Sequence, residues 1–457
     1  MFKLSKLTFS IILSTMLIGC ANIDDSYKTV QEDFQQYQEL TNQYHIQENW
    51  WTLYNDKQLN ELVTQALNNN KDLAKAALSV NIALYKANLL GANLVPNFRS
   101  STISKAAKNI DKGENSLISH TGTFDVSYTI DLWNRLKEAK SAAEWQHSAT
   151  QQDLESAKLS LINAVVATYY QLSYLNDAIN VTNQMINYYS KISNIMNNKF
   201  KLGVANRSIV DQSKQAVLAA KSKLIAYETQ KKGVETALRN LLNLKPNENI
   251  NIHYQNILKV KNIGVDLNVP FSTIANRPDI KSSQYRLNSA FKDAKAMQKS
   301  WFPSITLGAG LSSSGNKVNN ALNTPIATGT LAINLPFLSW NTVKWNVKIS
   351  ESAYEIAKLN FEQSITKSLN EIDTNYFNYG QAKQTLANLQ ETHRYNERIT
   401  QYYKNRYDAG IAELRDWLNA ANMENTSQLA ILDAKYKLIQ SETAVYSAMG
   451  GYYSVKK

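Results

Sequence analysis

The sequence predicts an α+β membrane protein, internally duplicated, with four short strands and two very long coiled-coil helices in one chain. Three observations carry this. Sequence anchors recur at a constant offset of 207 residues. Residues 135–202 contain neither glycine nor proline and place apolar side chains every seventh position, the pattern of coiled-coil packing. Elsewhere, short segments alternate apolar and polar side chains with the period of a strand.

The first element, residues 1–19, reads as a signal peptide. Lys3 and Lys6 precede an apolar stretch over 7–18, too short to span a bilayer as a helix. It ends in Leu17-Ile18-Gly19-Cys20, which resembles the lipobox of bacterial lipoproteins. Cys20 is the only cysteine, so an internal disulfide is excluded and the thiol reads as a lipid attachment site. Ala21 follows it, which by resemblance to lipoprotein sorting favours the outer membrane. Acyl chains contribute about 0.8 kcal/mol per buried CH₂, so several on one cysteine anchor firmly.

Beyond the signal there is no run of 18 apolar residues, so a crossing of the membrane requires a closed β-barrel. The net charge of +11 is spread along the chain; with an export signal it reads as a solvated basic surface, without nucleic acid as partner. The five histidines are far apart and no second cysteine, phosphate loop or HExxH occurs. No metal site, cofactor or catalytic constellation is expected, beyond the lipid on Cys20.

The repeat organises the rest. Asp72 matches Asp279, Pro96 matches Pro303, and Phe200-Lys201-Leu202-Gly203-Val204 matches Tyr407-Asp408-Ala409-Gly410-Ile411. A period this long reads as a duplicated half of one fold. The expected division is a lipid-anchored segment 20–55, a first repeat 56–245, a linker 246–274, a second repeat 275–451 and a tail 452–457. Each repeat opens with a helix, about 56–94 and about 275–301, stopped by a proline. Two alternating segments follow, with a Gly/Asn/Ser-rich tip between them.

A long helix comes next, 135–202 in the first repeat and about 341–409 in the second. Leu154, Leu161, Thr168, Leu175, Thr182, Tyr189 and Met196 form one heptad seam, and Val165, Leu172, Ile179, Ile186 and Phe200 fill the other. About 66 residues make a rod of roughly 100 Å. Gly203 and Gly410 supply the left-handed conformation a tight reversal needs. The returning helices, about 206–243 and 413–449, are about half as long. Paired end to end with the opening helices, they would flank the long ones in a cylinder wall.

The alternating segments read as four strands. Phe124, Val126, Tyr128 and Ile130 alternate with polar residues, as do Ile305, Leu307, Ala309 and Leu311, and Leu331, Ile333 and Leu335; the segment 98–104 is weaker. Ten residues of alternation have the length and pattern of a membrane barrel strand; the alternative is a soluble sheet with one wet face. Four strands cannot enclose an open lumen, so in a membrane they require further copies of the chain.

These residues resemble the TolC-like outer-membrane factors, in their NodT/CusC-type lipoprotein branch. The resemblance covers nearly the whole mature chain. It rests on Trp50-Trp51 with Asp56, on Tyr128-Thr129-Ile130-Asp131-Leu132-Trp133, on Arg277-Pro278-Asp279-Ile280, on Trp301-Phe302-Pro303-Ser304-Ile305, on Leu335-Pro336-Phe337 and on Ala448-Met449-Gly450-Gly451. Two departures stand out: Asn134 replaces a usual glycine, and the glycine after Pro336-Phe337 is missing.

The resemblance implies a homotrimer with a twelve-stranded outer-membrane barrel and a helical periplasmic tunnel. Its partners would be a periplasmic adaptor and an inner-membrane efflux pump, often proton-driven. The duct would be passive, for drugs, dyes, detergents or metal ions. The family closes its tunnel near the reversals, here Gly203 and Gly410. An acidic position six after the second glycine falls on Asp416; a second, nine after it, is Asn419. Arg207, Arg406 and Arg415 are the expected counter-charges of the closed gate. A periplasmic adaptor, or a pore-less coiled-coil lipoprotein, is the alternative; the duplication and paired alternating segments argue against the adaptor, and conductance in a planar bilayer separates the duct from the lipoprotein.

Overall fold

The computed structural model describes residues 20–108, 110–111, 117–250, 252–270, 272–321 and 323–455. The predicted signal peptide lies outside them, and so does the side chain of Cys20. In chain order the elements are α1 (Cys20–Thr41), β1 (Tyr44–Gln47), α2 (Lys57–Asn69), α3 (Lys71–Gly91), β2 (Asn97–Ala107), β3 (Leu117–Ile130), α4 (Arg135–Lys201), α5 (Arg207–Leu242), α6 (Pro278–Gln298), β4 (Ser304–Gly315), β5 (Ile326–Asn334), α7 (Trp340–Asp408), α8 (Leu414–Met449) and β6 (Tyr452–Val455). No helix among the described residues is long and apolar enough to cross a membrane.

The long helices are as the heptads require. α4 has 67 residues and α7 has 69, each about 100 Å of helix. In α4, Leu161, Val165, Leu172, Leu175, Thr182, Tyr189 and Met196 are buried. Ile179 and Ile186 are half-buried and Phe200, beside the reversal, is exposed. Both helices end alike. Gly203 and Gly410 each have φ of 73°. Val204 N–H donates to the Lys199 carbonyl and Gly203 N–H to Phe200; Ile411 N–H donates to Arg406 and Gly410 N–H to Tyr407. This is one Schellman motif, used twice at the repeat offset.

Caps set the other helix ends. The single opening helix expected over 56–94 is broken at Asn70. Its Oδ1 accepts from Asp72 N and Leu73 N, starting α3, while its Nδ2 donates to the Leu241 carbonyl. Asp56 caps α2 through Gln58 N and Leu59 N. At the head of α4 the Asp131 carboxylate accepts from Leu136 N and Lys137 N, and Asn134 has φ of 58°. Asparagine is among the few non-glycine residues that tolerate that region, so the departure from glycine leaves the turn intact. Asn134→Val is expected to lower stability by about 1–2 kcal/mol, whereas Asn134→Gly is near neutral; thermal unfolding in detergent measures both.

β2, β3, β4 and β5 form one antiparallel sheet in that order. Tyr128 pairs with Leu307, Phe124 with Leu311, and Leu307 with Leu331. The register therefore gathers Phe98, Phe124, Val126, Tyr128, Leu307, Leu311, Leu331 and Ile333 on one face. Asp125, Ser127, Gly308, Gly310, Thr328 and Thr330 share the other. Close approach explains Gly308: a Cβ there would lie 2.3 Å from Thr330 Oγ1.

The chain separates into two compact units, neither of which is a sequence repeat. One holds residues up to 36 with 76–154 and 278–365; the other holds 37–75, 155–277 and 366 onward. The boundary falls inside α1, α3, α4 and α7, because both halves of the duplication feed both units. In the first unit, Tyr27 stacks on Phe291 at 4.0 Å and Phe34 meets Phe361 edge-on at 5.2 Å. Two lysines, Lys292 and Lys299, bind the Glu138 carboxylate at 3.0 and 2.8 Å. Trp133 stacks on Phe302 at 4.7 Å and its Nε1 donates to the Pro303 carbonyl, so the signatures of the two repeats meet where strand becomes helix.

The second unit explains the remaining motifs. Trp50 is fully buried against Tyr446, 5.4 Å between rings. Tyr54 and Gly264 N–H both donate to the buried Glu442 carboxylate, and burial raises that carboxyl above its ordinary range. Arg277 is buried between the Glu371 carboxylate, at 2.8 Å, and the Ala448 carbonyl. The stretch predicted to bear lipid and the described part of the tail, up to Val455, form elements too. α1 packs through Ile23, Val30 and Phe34, and β1 pairs antiparallel with β6, Ile46 opposite Tyr453.

Candidate functional site

Two features of the fold invite a function. The first is the sheet. Its polar face is wet, yet its apolar face is also uncovered: Phe98, Phe124, Leu307, Leu311, Leu331 and Ile333 are all exposed. A soluble sheet buries its apolar face against its own chain; this one does not, among the described residues. Its strands run from 9 to 14 residues, enough to cross a bilayer tilted. β2 and β5 are its edges, and among the described residues neither pairs outward. Leu335, expected on the last strand, falls just after β5 ends.

The helices next to those edges carry matching stripes. α3, which leads into β2, exposes Leu78, Ile82, Tyr85 and Leu89; α7, which follows β5, exposes Trp345, Ile349, Ile356 and Leu359. The spacings keep each set on one helical face. The opposite face of α7, Val343, Val347, Tyr354 and Phe361, is the buried one. Both stripes are therefore apolar surfaces without a partner among the described residues.

The second feature is the pair of reversals. Asp416 sits in the first turn of α8 and forms a capping box with Glu413: its carboxylate accepts from Glu413 N–H while Glu413 accepts from the backbone of Asp416. The three arginines are engaged within the chain. Arg207 pairs with Asp211 at 3.2 Å, Arg415 with Glu413 at 3.6 Å, and Arg406 lies over the Tyr402 ring and donates to its hydroxyl at 3.1 Å. All three contacts are solvent-exposed, so each is worth well under about 1 kcal/mol.

Aromatic packing at the tip comes from residues the sequence did not single out. Trp417 stacks on Tyr407 at 5.3 Å and meets Tyr188 at 6.0 Å, and burial pushes the Tyr188 hydroxyl up to about 12. Lys199 donates to Tyr407. Tyr402 is exposed and meets Tyr403 edge-on at 5.3 Å. Beside the tip, α4, α5 and α8 enclose an open groove of about 630 Å³ that includes Arg415 and Asn419.

Known proteins share this architecture. A family model described as "Outer membrane efflux protein" matches residues 62–244 and again 269–451, the second match beginning and ending 207 residues after the first. Over 457 residues and the full length of both, the chain is 62% identical to a protein of Aggregatibacter actinomycetemcomitans named "Toxin and drug export protein A". It is 23% identical over 464 residues, 99% of each, to the "Probable outer membrane lipoprotein SilC" of Salmonella typhimurium. It is also similar in fold to the outer-membrane channel OprN, with a TM-score of 0.80 at 19% identity over 90% of this chain and 93% of that one.

Proposed function

The chain belongs to the outer membrane efflux protein family, and from that premise we propose that three copies close into one passive duct through the outer membrane. The observation that carries the proposal is the sheet with two open edges, each continuing into a helix with an unpartnered apolar stripe. Unpaired strand edges are not tolerated in hydrocarbon. If β5 of one copy pairs with β2 of the next, α7 of the first comes beside α3 of the second, and the two stripes cover each other. Such head-to-tail contacts close by rotation. Two copies give eight strands, an interior filled by side chains; three give twelve and leave a lumen. The apolar sheet face then meets lipid and the polar face lines the duct.

Acyl chains on Cys20 anchor α1 to the membrane. A periplasmic adaptor and an inner-membrane pump supply the cargo, which includes drugs and other toxic compounds, in keeping with the name of the 62% identical relative. The duct itself catalyses nothing; its work is positioning and gating. The test is direct. Purified full-length protein should scatter light as three chains and conduct in a planar bilayer. A folded monomer, or a trimer without conductance, overturns the duct.

Three Asp416 carboxylates at the narrow end form the gate in this reading, with Arg207, Arg406 and Arg415 exchanging their exposed partners for it when neighbouring copies close. A carboxylate ring favours cations. Asp416→Asn keeps an acceptor for the capping box and removes the charge. It is expected to shift the reversal potential in a salt gradient toward lower cation preference, with the melting temperature unchanged. An unmoved reversal potential excludes Asp416 from the constriction.

A further inference from the structure

The groove beside the reversals has a composition that suits one chemical class of ligand. Its polar lining is Lys223, Arg415, Gln212, Gln215, Asn419, Asn422 and Tyr189: two cations, four amides and one phenol, with no carboxylate. Met185, Leu418 and a small-residue run on α5, Ala216, Ala219 and Ala220, make the apolar remainder. The volume, about 630 Å³, falls in the range of small-molecule sites and holds an organic molecule of two or three rings. Lys223 is half-buried and makes no ion pair among the described residues. Among the described residues the one ion pair of Arg415 is the 3.6 Å exposed contact with Glu413, which a ligand displaces at little cost.

We propose that this groove binds anionic amphiphiles, compounds with one sulfonate or carboxylate on a compact apolar body, as they pass the tip of the duct. The proposal deepens the efflux reading and rests on it. Asn419, a neutral amide one turn after Asp416 on α8, lines the groove. With asparagine there, the groove loses the charge that would repel an anion; Asp416 is turned to the capping of Glu413. The anion lies between Lys223 on α5 and Arg415 on α8, and the apolar body rests on Met185 and Leu418. The alanines leave the room: a larger side chain at Ala219 would occupy it. A partner helix is the less suited occupant, because the two cations line a single groove of about 630 Å³ instead of repeating along a helix-length surface.

The experiment uses full-length protein in lipid nanodiscs and two fluorescent probes that differ only by a sulfonate: 8-anilino-1-naphthalenesulfonate and uncharged N-phenyl-1-naphthylamine. The sulfonate is expected to bind saturably and the neutral probe only to partition. In Lys223→Gln/Arg415→Gln, affinity for the sulfonate falls about tenfold, the size of two partly exposed charge contacts; in Asn419→Asp it falls by a lesser factor. Ala219→Trp, which leaves every charge in place, abolishes the saturable phase. Equal binding of both probes, or sulfonate binding unchanged across these variants, overturns the groove assignment. Trimer mass and conductance are recorded on the same preparations, so a failed duct and a failed groove give different results.

Discussion

Leu331→Arg is expected to cost about 2–4 kcal/mol per chain in a bilayer, the price of an arginine on the lipid face of a barrel near mid-membrane. Leu331 is 64% exposed and stands on the edge strand β5 opposite Leu307 of β4, near the middle of an apolar face that nothing among the described residues covers. Assembly into a trimer repeats that cost in each copy. The expected result is protein that accumulates outside the outer membrane or is extracted by urea, with little heat-resistant trimer. The control lies three residues away on the same strand. Thr328 belongs to the polar face opposite Gly310, and Thr328→Lys should insert and assemble like the parent. A sheet bathed in water on both faces predicts no difference between the two. Equal tolerance of Leu331→Arg and Thr328→Lys therefore removes the bilayer from the model.

Much of this architecture was legible because it is written locally. Heptads, glycine-marked reversals and strand alternation each act over a few residues, and each repeat displays them again. The duplication is a sequence fact that the two family matches reproduce at the same offset of 207 residues. Other elements depend on partners distant in the chain. β1 and β6 are four residues each, and Ile46 finds Tyr453 across four hundred residues, so no local period announces them. The break at Asn70 had a signal, an asparagine run that suits a cap, but its second role, holding the Leu241 carbonyl, is tertiary. α1 had one also: Ile23, Val30 and Phe34 lie on one helical seam. The gate residues came from resemblance alone. The chain shows Asp416 as the first-turn carboxylate of a capping box with Glu413, and the proposed constriction of three copies would have its contacts between chains.

The strongest consequence of that incompleteness is at the stripes. Ile349→Glu/Ile356→Glu is expected to abolish the trimer while α7 stays folded, since its buried face, with Tyr354 and Phe361, is untouched. Burying one isoleucine contributes about 1.5–3 kcal/mol. Two per contact and three contacts per closed ring lose on the order of 10 kcal/mol, before the desolvation of six carboxylates against apolar neighbours is added. Ile82→Glu/Leu89→Glu on α3 should do the same, because the proposed contact has two non-identical sides. Mixing the two variants discriminates further. Head-to-tail closure leaves every mixed ring with at least one damaged contact of each kind, so co-expression restores no trimer; a same-to-same contact would let intact stripes pair. Light scattering of the purified variants and of the mixture decides it. An undiminished trimer in either double variant would show that the stripes face lipid or lumen, and that the open strand edges are joined in some other order.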